Sequence, residues 1–117
     1  MAYNDDALVT LGQIKSAMET VRLVFTTASV TTAGWSADST NGGFQQTVTA
    51  TGITAIMKPT IDVYHASGVN AQTFADQCEA FAEFAASGWA DASNGQITLH
   101  CYEKPSANFT IAIKASL

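Results

Sequence analysis

Two histidines, two cysteines and ten acidic side chains make up the groups in this chain best suited to moving protons, holding metal or forming covalent bonds. Catalysis needs such groups together, as a nucleophile beside a base, a carboxylate pair or a metal cluster. His65 follows a predicted strand and His100 lies within one, and neither falls in an Asp-His-Ser order. His100 and Cys101 are consecutive in a strand, so they point to opposite faces and make poor co-ligands for zinc, which takes about four donors. Cys78 and Cys101 are 23 positions apart, which is not the spacing of a metal or disulfide framework. They are expected to pack as free thiols across a core. Asp62, Asp76, Asp91, Glu79 and Glu83 could be combined into a cation site, but Asp76, Glu79 and Glu83 are explained as the wet face of a helix. Asn41-Gly42-Gly43 precedes a strand rather than a helix, so it reads as a turn and not as a phosphate loop. This inventory argues against an enzyme. No catalytic residue, metal or cofactor is assigned.

Composition narrows the partners. Charged residues are 13% of the chain, about half the ~25% of ordinary soluble domains, and 20 Ala and 15 Thr take their place. Charge-poor surfaces suit contact with other protein, because interface cores are depleted in charge. The net charge is −5, and the fixed cations Lys15, Arg22, Lys58, Lys104 and Lys114 are scattered. Nucleic acid is therefore not expected as a partner. No basic leader with an apolar run and cleavage site opens the sequence, and no apolar run reaches ~18 residues, so neither secretion nor membrane insertion is expected. Asn108-Phe109-Thr110 matches a glycosylation sequon, which without a secretory route has no consequence.

Ahead of these residues stands NDDALVTLGQIKSAMETVRLVF, residues 4–25, which reads as a helix. Asn4, Asp5 and Asp6 supply capping groups and favourable negative charge at its start. Ala7, Leu11, Ile14, Met18, Val21 and Phe25 alternate spacings of four and three, the heptad pattern. The seam could lie on its own domain. Its narrowness, with Leu at a and Ile at d, points instead to association of three or more copies. Gly12 and the shortness of the seam weaken the helix in isolation.

Residues 26–43, rich in Thr, Ser and Gly, read as a linker anchored by Trp35. From Phe44 the pattern has period two. Strands are predicted over 44–51, 60–64, 89–92, 96–103 and 108–114, with Ser93-Asn94-Gly95 as a hairpin signal. Between them, Asn70 caps a helix that ends at Gly88 and buries Phe74, Cys78, Phe81, Ala82 and Ala85. The expected fold is α+β: an oligomerisation helix over 1–25, a linker over 26–43, and a β-β-α-β-β-β domain over 44–117. In it the last three strands form a meander and one sheet is covered on one face by the second helix. The open face would carry Tyr64, His100 and Tyr102.

KPTIDVY, the capped helix and GQITLHCYEKPSANFTIAIK resemble a small domain that recurs in phage and prophage structural proteins of Gram-positive bacteria. AYNDDALVTLGQIKSA is similar to the short N-terminal helices of such proteins. The resemblance covers residues 1–25 and 59–114 and brings no catalytic residues with it. It implies a virion component of tail-fibre, baseplate or capsid-appendage type, made in a bacterial cytoplasm and assembled with other virion proteins.

The resulting expectation is a non-enzymatic virion structural protein forming a homo-oligomer, a trimer by its seam, through Ala7, Leu11, Ile14, Met18, Val21 and Phe25. The alternative is a carbohydrate- or host-surface-binding module. In it Tyr64, His100 and Tyr102 on the open sheet face, with Trp35 or Trp89 nearby, would stack on a cell-surface glycan.

Overall fold

A computed structural model of the protein describes residues 23–116. These form two antiparallel sheets around a shared core, with a single α-helix among the described residues. The strands are β1 (Leu23–Val30), β2 (Ser36–Ala37), β3 (Phe44–Thr49), β4 (Thr60–Val63), β5 (Trp89–Ser93), β6 (Gln96–Cys101) and β7 (Phe109–Ser116). The helix, α1, spans Ala71–Ser87. Sheet order is β1-β7-β4 in the three-stranded sheet and β2-β3-β6-β5 in the four-stranded one.

This is a correction of the α+β fold expected above. There is no single sheet with a helix laid over it, and the last three strands are not a meander. β5 and β6 form a hairpin, but β7 crosses to the other sheet and pairs there with β1 and β4. The linker is also corrected, because its first residues are strand. In β1, Val24, Thr26, Ala28 and Val30 turn inward while Leu23, Phe25, Thr27 and Ser29 turn out, the period-two alternation of a half-buried strand. Phe25, placed above at the end of a helical seam, is thus a strand residue opposite Lys114. Its β-branched neighbours Val24, Thr26 and Thr27 favour the extended backbone. The other seam positions, Ala7, Leu11, Ile14, Met18 and Val21, lie outside the described residues.

The inner faces of both sheets build the core. Ile97, Leu99 and Cys101 come from β6, Val48 from β3, Phe109, Ile111 and Ile113 from β7, and Val30 from β1. Burying each such aliphatic or aromatic side chain is worth about 1.5–3 kcal/mol. Helix α1 packs on β7, β4 and β6 and so spans both sheets. Its cap is as expected from the residues: Asn70 Oδ1 accepts from Thr73 N at 2.8 Å. Its inner face differs. Phe74, Cys78 and Phe81 are half-buried as expected, but Gln77, Ala80 and Phe84 complete the face, whereas Ala82 and Ala85 are exposed. Phe84 and Phe81 join Phe109 and Trp35 in an aromatic cluster with ring centroids 5.9–6.4 Å apart.

Three polar devices fix the joints. Gln46, 7% exposed, donates from Nε2 to Thr31 O and accepts at Oε1 from Thr31 N, which ties β3 to the end of β1 across the sheets. The loop after β3 is stitched to the β5–β6 turn, with Ala50 N donating to Gly95 O and Gly95 N to Ile53 O. Ile53 and Met57 of that loop are buried. Finally, Asp38-Ser39-Thr40-Asn41-Gly42-Gly43 links β2 to β3, with Asp38 Oδ1 accepting from Thr40 N and Asn41 N at 3.1 Å. Side-chain acceptance of this kind is how Asp initiates turns.

Candidate functional site

The best-organised polar cluster sits on the outward face of the four-stranded sheet, around His100. Register makes it. Trp89 on β5 and Gln45 on β3 both stand opposite His100 on β6, and Asp91 is opposite Thr98. Residues directly opposite in an antiparallel pair point to the same side. The turn after β2 delivers Asp38 to this face.

His100 is 6% exposed although it faces away from the core. Its Nδ1 is 2.8 Å from Asp38 Oδ2, and its Nε2 is 3.0 Å from Asp91 Oδ2. The Trp89 ring lies over it at 4.7 Å between centroids with only 10° between the planes. A neutral imidazole carries one N–H and satisfies one of the two carboxylates as a donor; a doubly protonated ring satisfies both. Either way both ring nitrogens are occupied, so the ring acts as a base only by giving up a carboxylate. Asp38 also takes hydrogen bonds from Asn41 Nδ2, Asn41 N and Thr40 N. The Asn41 bonds first, then His100, hold its carboxyl well below the usual carboxylate range. Hydrogen bonds to the ionised form produce that direction of shift. Asp91 differs: its side chain is 68% exposed, so it offers a carboxylate to solvent from a fixed position.

The residues named from the sequence as ligand contacts do not converge. Trp35 is 8% exposed and packs on Phe84 in the core, where its indole N–H has no partner among the described residues. Tyr64 follows β4 of the three-stranded sheet and sets its ring at 6.3 Å from Phe25. His100 is enclosed as described, and Tyr102, just past β6, is 72% exposed. The single open face that was to gather them is replaced by two sheets. Tyr64 belongs with one and His100 with the other. Asp38 carries no site signal in the sequence, and Trp89 stands there only as a neighbour of the expected glycan contacts. The pairing of Trp89 with His100 was accessible from the Asn94-Gly95 turn, which sets the β5–β6 register. The approach of Asp38, 62 positions away, left no local signal.

Both cysteines are free thiols, and burial pushes the Cys101 thiol up from its ordinary value. Among the described residues no three metal-ligating side chains are grouped to hold an ion, and no helix is long and apolar enough to cross a membrane.

Set against known protein families, curated proteins and solved structures, the chain has no significant match.

Proposed function

We propose that the protein is a non-enzymatic structural component of a phage virion, of tail-fibre, baseplate or capsid-appendage type, that assembles with copies of itself. The observation that carries the self-association is an apolar strip on the outward face of the three-stranded sheet. There Leu23 is 81% exposed and Phe25 59%, both on β1, and Tyr64, 36% exposed, follows β4 on the other side of β7 with its ring 6.3 Å from Phe25. Among the described strands β1 lies at the edge of its sheet, and large exposed apolar side chains on such an edge mark a surface that meets other protein. The strip begins where the heptad-patterned segment of residues 7–21 ends, so copies brought together by that segment would meet next through Leu23 and Phe25. The low charge content and the resemblance to phage structural proteins support the virion setting, with synthesis in the bacterial cytoplasm and other virion proteins as partners.

Light scattering of the full chain tests the association. A trimer at micromolar concentration is expected, and a clean monomer overturns it. Replacing Ile14 and Val21 together by Asp should dissociate the oligomer while the β-sheet circular dichroism and melting of the domain persist. Mass spectrometry of purified particles tests the setting, and absence of the chain from particles of the phage that encodes it overturns that part.

A further inference from the structure

We infer that Trp89 and Asp91 form a binding subsite for a neutral sugar ring at the β5 edge of the four-stranded sheet. The site is independent of the apolar strip on the other sheet. One face of the Trp89 indole is taken by His100, stacked at 4.7 Å and 10°. The side chain is nonetheless 45% exposed, and among the described residues no strand lies beyond β5 in its sheet. The indole is thus a flat apolar surface open on the far side, with its orientation set from behind. His100, fixed by Asp38 and Asp91, does the setting. A platform ordered before binding loses little freedom when a ligand arrives.

The chemistry of the neighbours selects the ligand class. Asp91 is two residues along β5, on the same face as Trp89, and its side chain is 68% exposed. An apolar side chain stacked on Trp89 would strip water from this carboxylate without replacing the hydrogen bonds. A pyranose ring has an apolar C–H face for the indole and rim hydroxyls that donate to the carboxylate. Anionic sugars would be repelled by Asp91 and by a net charge of −5. Tyr102, 72% exposed, has its amide bonded to Ser87 Oγ at 3.1 Å, near the start of β5. That places a second aromatic close to the first, suited to the next residue of an oligosaccharide.

Fluorescence reads the site selectively, because of the two tryptophans Trp35 is 8% exposed and Trp89 45%. The full chain is titrated with tetramers of N-acetylglucosamine and of β-1,4-glucose, with tetramethylammonium as a cationic comparison. Saturable change in Trp89 emission with at least one oligosaccharide is expected, with saturation-transfer NMR signals on the ring protons of one sugar face. Trp89→Ala should abolish the saturation-transfer signal, Trp89→Tyr should retain it, and Asp91→Asn should weaken binding about ten-fold, with melting temperatures showing that each variant is folded. Absence of a response to both oligosaccharides, a signal that survives Trp89→Ala, or an equal response to tetramethylammonium would overturn the inference. The oligomeric state by light scattering is a separate readout, so loss of either claim leaves the other standing.

Discussion

Asp38 and His100, 62 positions apart in the chain, meet at 2.8 Å with side chains 3% and 8% exposed. The contact clamps the β2–β3 turn onto β6 and makes an outward-facing histidine a buried one.

The clamp gives acid sensitivity with a definite sign. The Asp38 carboxyl titrates below its unfolded value of about 3.9, so the charged form is favoured by folding. Its stabilising contribution is fully present above that value and is lost as pH falls toward the depressed one. Thermal melts between pH 6 and 2 should therefore steepen downward below about pH 4. The Asp38→Asn variant should melt lower than wild type at pH 6, with a flatter dependence below pH 4. Parallel curves for the two proteins would contradict this assignment.

Two adjacent glycines separate steric from conformational cost. Gly42 and Gly43 have φ of 81° and 73°. A Cβ at Gly42 meets nothing within 4 Å, whereas at Gly43 it overlaps the Cys101 carbonyl oxygen. Gly42→Ala should cost about 1 kcal/mol, the penalty of the left-handed region. Gly43→Ala should cost at least about 2 kcal/mol more, because backbone on β6 has to move. Urea unfolding of both variants measures the difference directly.

Gln46 holds Thr31 by both its amide atoms. Gln46→Leu keeps the volume but leaves both backbone groups of Thr31 without these partners, at an expected cost of about 1–3 kcal/mol. Gln46→Glu should cost more, since an ionised carboxylate cannot donate to Thr31 O and would be placed at a buried site. If Gln46→Leu matched wild type in urea midpoint, the cross-sheet tie would contribute nothing.

The aromatic cluster should respond unevenly. Phe84→Ala removes the ring shared by Trp35, Phe81 and Phe109 and is expected to cost about 3–5 kcal/mol. Trp35→Phe gives up contacts but also an indole N–H that has no partner among the described residues. It should therefore cost less than about 2 kcal/mol. Calorimetric melts of the two variants rank them.

Much of the local structure is written in single residues. Asn70 marks the start of α1, Asn94-Gly95 marks the β5–β6 turn, and Ile97-Leu99 and Ile111-Ile113 mark inward strand positions. The partition into two sheets has no such mark. The segment from Tyr102 to Asn108 is long enough either to turn back beside β6 or to cross to the other layer, and only pairing with β1 decides between them. β1 was hidden for a different reason. Its inward positions include Thr26 and Ala28, weak signals of burial, and Phe25 also completes a helical spacing with Val21 and Met18. The helix face was rotated because Ala82 and Ala85 match an apolar stripe as well as Ala80 does. The candidate site was half legible: alternation places Trp89, Asp91 and His100 on one face, but not the loop carboxylate that encloses the histidine.

The pairing of Leu23 with Ser116 and of Val30 with Phe109 joins the first described strand to the last. During synthesis β1 therefore waits, unpaired and carrying Leu23 and Phe25, until β7 has left the ribosome. Such distant pairing slows folding and lengthens the exposure of a sticky edge. The three-stranded sheet thus stays incomplete until Phe109–Ser116 is available, and a chain cut short before Phe109 would present β1 with no described strand to receive it.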